Sequence, residues 1–487
     1  MSFSTSIAEN IQSKMSALLE MVSGENRQSQ TAHEVEQQLW WEMLLMGQQL
    51  MQLFFATCET QEARQKVYEV DGVEYVYAGQ RKRKYVSLFG DLTVGRAYYW
   101  RKGVGGQCPL DDQLSLPERS FSDLVQERIG GLSVMVTYQE AVTICSKWLG
   151  WNLPKRCAEQ INADHAAHVA DYYEAKTVPD APARDEILVV SADGKGIPMT
   201  RKDSPPPQAR RGRGEKKTAK KEATVTTLYT IAPYKRDAED IIRALVPGYA
   251  SEQSSLTPRP EPTHKQVFGT LSGQKAAFEQ LSKLAENRDW QHISHYVALT
   301  DGNRGLKNRV QQDLPDFTLI VDIIHVTEYL WEAANTLWGE THSMRQTWMR
   351  DALRCLLEYD LDHLLNHLHY QLGYLSKRKR TVIEKIIQYL ENNRDYLDYQ
   401  TYLAHGYPIG TGVIEGACRH LVKDRFERAG MRWSLDGAQV MLDLRAVYLN
   451  GDWDDFQRSR RRDAHQKRYR SLHPDAVPEE LMMDIAS

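Results

Sequence analysis

Two aspartates in this sequence each follow an apolar, strand-like run and are each followed by a glycine. Asp193 follows EILVVSA and precedes Gly194, and Asp301 follows HYVALT and precedes Gly302. A carboxylate at the end of a buried strand costs free energy unless a cation meets it, and the usual cations are arginine, lysine and metal ions. Asp-Gly is also the commonest hairpin signal. Each of the two positions therefore fits both a turn and a cation-binding site.

Two further acidic residues lie in patterns that suit chemistry. Glu415 stands in GTGVIEGACRH, where a glycine-rich turn opens a helix. A solvated Glu in a first turn, favoured by the helix dipole, would also explain it. Asp322 stands in TLIVDIIHV, which predicts a third buried strand that also carries His325. Because side chains alternate along an extended strand, Asp322 and His325 are predicted to lie on opposite faces.

The order of elements predicts an α/β domain over residues 185–450. EILVVSADGKGIPMT is the first strand and TVTTLYTIAPY is a second strand antiparallel to it, with a long basic loop, 201–223, between them. Residues 327–400 are almost entirely helical in period, which predicts an all-α insertion within this domain. Strands and helices combined in this way indicate a sheet with helices packed on it.

Three smaller regions precede the α/β domain. Residues 1–66 are amphipathic with a helical period, and the pattern over residues 67–118 predicts short strands of a small β unit. Residues 119–178 return to a helical period.

The third of these regions predicts a DNA-reading element. Thr137 and Glu140 have the spacing of a capping box and open one helix, and a second helix follows a glycine-bearing turn. Two short helices around such a turn are the outline of a helix-turn-helix, whose second helix would present Lys155, Arg156 and Gln160 to a DNA major groove. Any helical hairpin produces the same outline.

Charge is distributed unevenly along the chain. The net charge is -4 with histidine neutral, which argues against an evenly basic nucleic-acid-binding protein. Basic residues nevertheless far outnumber acidic ones in the loop 201–223, and the C-terminal tail, 451–487, contains RSRRRDAHQKRYR. Such runs are typical of phosphate contacts, although a solvated loop and tail would have the same composition. In the loop, the residues expected to contact phosphates are Arg210, Arg211, Arg213, Lys216 and Lys217.

Composition excludes several other classes of protein. At 487 residues, two to four domains are expected, and the apolar fraction of 41% is ordinary for a globular chain. No apolar run approaches the roughly 20 residues that span a bilayer, and the N-terminus lacks the apolar centre of a signal peptide. The six cysteines include no C-x-x-C pair, so neither a zinc ribbon nor a disulfide framework is indicated. We expect a reduced, cytoplasmic setting.

Four blocks together resemble a known family. DGKG at 193–196, TDGNRGL at 300–306, VDIIHV at 321–326 and GTGVIEGACRHLVKDRF at 410–426 are similar to the signature blocks of the Kra-type (ISKra) insertion-sequence transposases, relatives of the Mutator-like group. The resemblance covers about residues 70 to 450. It implies a ribonuclease H-like catalytic domain.

The resemblance also implies a site and a chemistry. Its DDE triad falls on Asp193, Asp301 and Glu415, and His325 falls on the histidine of the family's D-x-x-H block. The triad would bind two Mg²⁺ ions, which Mn²⁺ can replace, for DNA strand cleavage and strand transfer. Double-stranded DNA, both element ends and target, is the implied partner, with the protein acting as a homo-oligomer on it. In the last block, the residues expected to contact DNA are Arg419, Lys423 and Arg425.

Three questions stay open from the sequence. The second metal ligand is predicted to be Asp301, with Asp322 in a supporting role and His325 near the scissile phosphate, but burial alone does not choose between the two aspartates. A transposase-derived protein that binds DNA without cutting it would keep the same fold. A glycoside hydrolase would use two of these carboxylates, but it would call for an aromatic-lined sugar cleft and no basic runs.

Overall fold

The chain folds into two compact units. The computed structural model describes residues 3–24, 30–70, 72–150, 152–182, 185–204, 220–248, 258–288, 293–358 and 360–469. One unit comprises Met1–Tyr172 with Trp453–Ser487, and the other comprises Tyr173–Asp452. The fold is mixed α/β with two sheets, which confirms the predicted class at that level. None of the described helices is long and apolar enough to cross a membrane.

The first unit begins with two helices and a small sheet, as the sequence predicts. The helices are α1 (Phe3–Ser23) and α2 (Ala32–Gln61). The strands are β1 (Val67–Val70), β2 (Val73–Ser87), β3 (Gly90–Arg101) and β4 (Gly105–Gln107). They form an antiparallel sheet in the order β1-β2-β3-β4. One side of α2 packs on β3, where Phe55 joins Leu92 and Val94 in a buried cluster.

The rest of the first unit is helical. Its elements are α3 (Pro109–Gln113), α4 (Asp123–Met135), α5 (Tyr138–Leu149), α6 (Lys155–Ala166), α7 (Val169–Ala175, which runs into the second unit) and α19 (Trp453–Arg468). The predicted capping box is present, because Thr137 and Glu140 each accept the other's backbone N–H. Gly150 ends α5 with a left-handed φ of 71°. The two-helix outline is thus confirmed, while its use in reading DNA stays a prediction.

The predicted basic tail is in part a packed helix. In α19, Arg460 pairs with Asp123 at 3.1 Å and Arg461 pairs with Glu127 at 2.7 Å, both on α4. Arg460 is buried. These two arginines therefore stabilise the packing of α19 on α4 and are not available to contact phosphates. Residues 470–487 lie outside the described residues.

The second unit is built on a five-stranded sheet. Its strands are β5 (Glu186–Pro198), β6 (Lys220–Ile231), β7 (Thr263–Thr270), β8 (Ile293–Thr300) and β9 (Thr318–Val321), in the order β7-β6-β5-β8-β9. The pairs β5–β6 and β6–β7 are antiparallel, whereas β5–β8 and β8–β9 are parallel. The predicted antiparallel pairing of the first two strands is confirmed. β6 starts at Lys220, so the last residues of the predicted basic loop belong to the sheet.

Helices cover both faces of this sheet and extend beyond β9. Those between the strands are α8 (Ala238–Leu245), α9 (Gln274–Glu286) and α10 (Arg304–Asp313). After β9 come α11 (Ile323–Trp338), α12 (Met344–Leu357), α13 (Leu361–Leu372), α14 (Lys377–Asn393) and α15 (Tyr399–Ala404). Leucines and isoleucines of α11 to α14 form one core with Ile187 and Val189 of β5. The helical character predicted for 327–400 is confirmed.

The end of the second unit contains a π-helix. α16 (Gly412–Ala417) runs into a π-helix, Cys418–Lys423, followed by α17 (Asp424–Phe426) and α18 (Leu435–Leu449). The π form leaves carbonyls to be satisfied from outside the helix. Arg445 of α18 supplies the donors, to the carbonyl of Leu421 at 2.9 Å and to that of His420. Burial lowers the pKa of Arg445 to about 10.

One partly buried acid in α18, Asp443, should make stability depend on pH. Burial raises the pKa of Asp443 to about 7, against roughly 3.9 in an unfolded chain. The folded protein then holds a proton that the unfolded chain has lost, so the free energy of unfolding falls as pH rises from about 4 to 7, by up to about 4 kcal/mol. We expect Asp443→Asn to be more stable than the wild type at pH 8, but not at pH 4, in denaturant titrations.

A matched control is present on the same helix. Asp436 lies in the exposed first turn of α18, and Asp436→Asn should leave the pH dependence of unfolding unchanged. If Asp443→Asn and the wild type lose stability equally between pH 4 and 8, the burial of Asp443 has no such effect.

Candidate active site

Three aspartates lie at one level of three neighbouring parallel strands, where β8 and β9 end and β5 continues. Ser191 of β5 pairs with Leu299 of β8, so Asp193 and Asp301 are both two residues beyond that pair. Thr300 of β8 pairs with Val321 of β9, so Asp301 and Asp322 are each the next residue. Adjacent strands are about 4.8 Å apart. The register therefore places the three carboxylates in a row at one edge of the sheet, where open α/β sheets bind their ligands.

Asp193 lies at the point where β8 ends but β5 continues along β6. It is partly exposed, and it pairs in register with Val225. Its Oδ1 accepts the N–H of Gly194 at 2.6 Å, and its Oδ2 accepts the thiol of Cys418 at 3.3 Å. A carboxylate has about four lone-pair positions, so each oxygen of Asp193 keeps one free.

The glycine after Asp193 faces an acidic side chain of the neighbouring strand. A Cβ on Gly194 would come within 2.7 Å of the Glu222 carboxyl carbon, which is the far end of an exposed, flexible side chain. A larger residue at this position would displace Glu222. Gly302, after Asp301, has a left-handed φ of 85°. That conformation alone favours glycine.

Asp301 is held in a tight turn with one carboxylate oxygen engaged. Its Oδ1 accepts the N–H of Asn303 at 2.8 Å, and Asn303 in turn caps α10. The hydroxyl of Tyr389 donates to the Asp301 carbonyl at 3.3 Å, which ties the turn to α14. Asp301 therefore directly follows the end of β8, as the sequence predicts.

Asp322 is a buried helix cap, and its prediction as a mid-strand residue is wrong. β9 ends at Val321, and Asp322 is the N-cap of α11. Oδ1 accepts the N–H groups of Ile324 at 3.0 Å and Thr411 at 3.2 Å. Oδ2 accepts Nδ1 of His325 at 2.7 Å and the hydroxyl of Thr411 at 2.5 Å. Four donors fill its four lone-pair positions, which leaves none for a metal ion.

The side chains of His325 and Asp322 lie on the same side of the chain, and the prediction that they lie on opposite faces of a strand is wrong. Because the chain turns into a helix at Ile323, His325 lies one turn above the cap and reaches back to it. The hydrogen bond to Asp322 raises the pKa of His325 to about 9, against partial burial, with smaller contributions from the charges of Glu328 and Asp301. The ring is therefore a cation at neutral pH.

Glu415 lies in the first turn of α16, as predicted, and is exposed. Ligand atoms of Asp322, His325 and Glu415 lie within 4.8 Å of one another. This trio is nonetheless a poor metal site, because four described donors already occupy the oxygens of Asp322 and the raised pKa of His325 favours its protonated form. Glu415 is the member of the trio with a carboxylate available, and the thiol of Cys418 one turn later links its helix to Asp193.

Sequence reasoning missed three residues of the site. Thr411 joins Asp322 to the start of α16, Cys418 contacts Asp193, and Tyr389 holds the Asp301 turn. The spacing of Cys418, three residues after Glu415 in a predicted helix, was a usable signal, since such residues share a face. Burial raises the pKa of the Cys418 thiol well above its usual value, and the charge of Asp193 adds to the effect.

The residues predicted to contact DNA have mixed placements. Arg156, Arg419 and Lys423 are exposed. Lys155 is exposed and pairs with Glu159 at 3.3 Å, and Gln160 is half-buried. The loop residues Arg210, Arg211, Arg213, Lys216 and Lys217 lie outside the described residues.

Arg425 departs from its prediction as a DNA contact. It is fully buried, with its guanidinium 5.0 Å from the centre of the Trp433 ring. A side chain in this position stabilises the packing of the segment after the π-helix and does not present its charge to DNA.

Comparison with known proteins adds no family. No protein-family model matches the chain, and no curated protein is similar enough to count as a relative.

The different surroundings of Asp322 and Asp301 predict different effects on stability. Asp322→Ala removes a cap and leaves buried donors unpaired, so the free energy of unfolding should fall by roughly 2 to 4 kcal/mol. Asp301→Ala removes one hydrogen bond in a partly exposed turn and should cost about 1 kcal/mol or less. Denaturant titrations of the two variants measure both effects. Equal losses would contradict the assignment of the structural role to Asp322.

Proposed function

We propose that this protein is a DDE transposase that cleaves and joins DNA strands at the ends of an insertion sequence with the help of divalent metal ions. The observation that carries the proposal is the register that brings Asp193 and Asp301 to neighbouring positions of adjacent strands, together with the contact of Asp193 with Cys418 on the helix that carries Glu415. Such an arrangement is costly for like charges and is typical of sites that bind cations.

The same edge supports a ribonuclease H-like core. A strand bearing the first carboxylate is central, an antiparallel pair lies on one side of it, and parallel strands joined by helices lie on the other. The helices between β9 and α16 would then form the all-α insertion. They separate Asp322 from Glu415 in sequence, and Thr411 reunites the two ends in space.

The donor set fits Mg²⁺. All three acids offer hard oxygen ligands, which Mg²⁺ and Mn²⁺ prefer. The protonated, buried Cys418 thiol is a hydrogen-bond donor to Asp193 and not a competing ligand. When bound, two such ions activate the attacking hydroxyl and stabilise the leaving oxygen of a phosphodiester.

The residues around the acids suit the substrate of that reaction. In-line attack forms a bond from a water or a DNA 3'-OH to phosphorus and breaks the bond to the bridging oxygen. The His325 cation, held by Asp322, would orient the scissile phosphate. Arg419 and Lys423, exposed beyond Glu415, would contact the adjoining backbone of double-stranded DNA. Action as a homo-oligomer on that DNA is part of the proposal.

Removing any one of the three acids should abolish cutting without abolishing binding. We expect Asp193→Asn, Asp301→Asn and Glu415→Gln to retain DNA binding but not to cleave a plasmid that carries the coding region with its flanks in Mg²⁺. Partial recovery of Asp301→Cys with Mn²⁺ would place that side chain in the metal shell. A wild-type protein that binds this DNA but never cuts it would instead be a transposase-derived binding protein.

The orienting role of His325 predicts an intermediate effect. His325→Gln removes the positive charge and keeps a hydrogen-bonding side chain, so cleavage should slow by about 100-fold but stay measurable. Asp322→Asn should behave similarly, provided that the variant is folded by circular dichroism. If Asp322→Asn is inactive while Asp301→Asn cuts normally, the second metal ligand is Asp322 and the triad is redrawn.

A further inference from the structure

The end of α13, the start of α14 and the turn between them expose an unusual set of side chains. We call this set the α14 patch; its members are Tyr370, Tyr374, Lys377, Arg378, Lys379 and Arg380. The two tyrosines are 65% and 71% exposed. All four cations are exposed.

Local structure does not account for the four cations. The start of a helix carries a partial positive charge, so each cation there costs about 0.3 to 1 kcal/mol. The first turn of α14 has no acidic residue, and Ser376 provides no side-chain cap. Arg380 pairs with Glu384 at 3.1 Å. Among the described residues, Lys377, Arg378 and Lys379 form no ion pair, so their charges are open to an anionic partner.

The tyrosines add a second kind of surface to the patch. Their rings are 5.2 Å apart and tilted by 54°, and the Tyr374 hydroxyl donates to that of Tyr370 at 2.9 Å. The pair is thus ordered while its ring faces meet solvent. Cations beside exposed aromatic rings are how proteins bind unpaired nucleic acid, with phosphates on the cations and bases on the rings. A fully paired duplex would use only the cations.

α14 also fixes the distance from the patch to the candidate active site. The same helix carries Tyr389, whose hydroxyl contacts the carbonyl of Asp301. From Arg380 or Lys377 to Tyr389 is nine to twelve residues, or roughly 14 to 18 Å at the helical rise. Along one strand of an intervening duplex, at about 3.4 Å per phosphate, this length corresponds to about four or five backbone phosphates.

We propose that the α14 patch binds an unpaired DNA segment about five nucleotides from the scissile phosphate, by phosphate contacts to Lys377, Arg378 and Lys379 and by stacking of bases on Tyr370 and Tyr374. The inference rests on the proposed function, because the distance is counted from its catalytic carboxylates. Unpaired DNA of this kind arises where the two strands of a duplex separate beside a cut or joined end.

The cations are tested by changing charge without changing length. Lys377→Gln, Arg378→Gln and Lys379→Gln are combined in the non-cutting Asp193→Asn protein. Binding is measured against salt for a duplex with an unpaired segment of about eight nucleotides. We expect affinity to fall about 10- to 100-fold, and the slope of log K against log salt to flatten by about 2.

A second triple variant controls for net charge. Lys265→Gln, Lys275→Gln and Lys283→Gln remove the same charge from exposed positions of the same unit, and should change affinity and slope much less. Equal effects of the two triple variants, or no effect of the first, would overturn the proposal.

The tyrosines are tested by keeping or removing the ring. Tyr374→Phe loses the hydroxyl contact and should bind as the Asp193→Asn parent does, whereas Tyr374→Ser should bind the unpaired substrate about 10-fold more weakly. A 2-aminopurine moved along the unpaired strand should be most strongly quenched about five nucleotides from the cleavage site, and Tyr374→Ser should remove that maximum. If Tyr374→Ser binds unpaired and fully paired DNA as the parent does, the patch holds phosphates only and the stacking part is overturned.

Failure of the proposal can be distinguished from failure of the proposed function. If the protein with Asp193 intact cuts DNA in Mg²⁺ while the first triple variant binds like the parent, only the patch proposal fails. If it binds unpaired DNA through the patch but never cuts, the DNA site holds, and both the proposed function and the spacing counted from it fail. If it binds no DNA at all, both fail.

Discussion

The candidate active site depends on one filled carboxylate. Asp322 is 0% exposed and accepts four hydrogen bonds from the starts of two helices that are far apart in sequence, through Ile324 and His325 of α11 and through Thr411 before α16. A buried charge is tolerated only when it is paired and fully hydrogen-bonded. Because these donors come from the starts of both helices, the end of β9, the start of α11 and the approach to α16 hold one another in place. Glu415 is therefore held close to Asp322, although about ninety mostly helical residues separate the two in sequence.

The neighbouring acids are left open by the same arrangement. Asp193 and Asp301 each have carboxylate positions that no described donor takes, and both lie beside strands whose register is set by the sheet. The number of donors, and not burial alone, therefore distinguishes Asp322 from Asp193 and Asp301. Cys418 adds a donor to Asp193 from the helix that carries Glu415, which couples the positions of two acids that the proposed function requires to act together.

Much of this could be predicted from local patterns. Asp301 directly follows the end of β8, as its apolar run and Asp-Gly predict, and the capping box at Thr137 follows from local hydrogen bonding. Asp193 is not at a strand end, because β5 continues to Pro198. Asp322 was misplaced because a single residue separates β9 from α11, so the apolar run continues through the boundary. The burial of Arg425 depends on its packing beside Trp433. Contacts made across the fold leave no periodic signal in the sequence.

Electrostatics explain why the site has this composition. Several carboxylates at one sheet edge repel one another, and in a medium of reduced dielectric that repulsion is larger than in water. The cation at His325, raised in pKa by Asp322, offsets part of it in the free protein. That cation is tied to the one acid whose lone pairs are already full, so it does not block the open oxygens of Asp301 or Glu415. A divalent ion entering the edge would relieve the remaining repulsion, and a phosphate arriving with it would meet the His325 cation on its other side. Under the proposed function, the separation of a filled acid with its histidine from open acids would let one edge attract both a metal ion and the phosphate on which it acts.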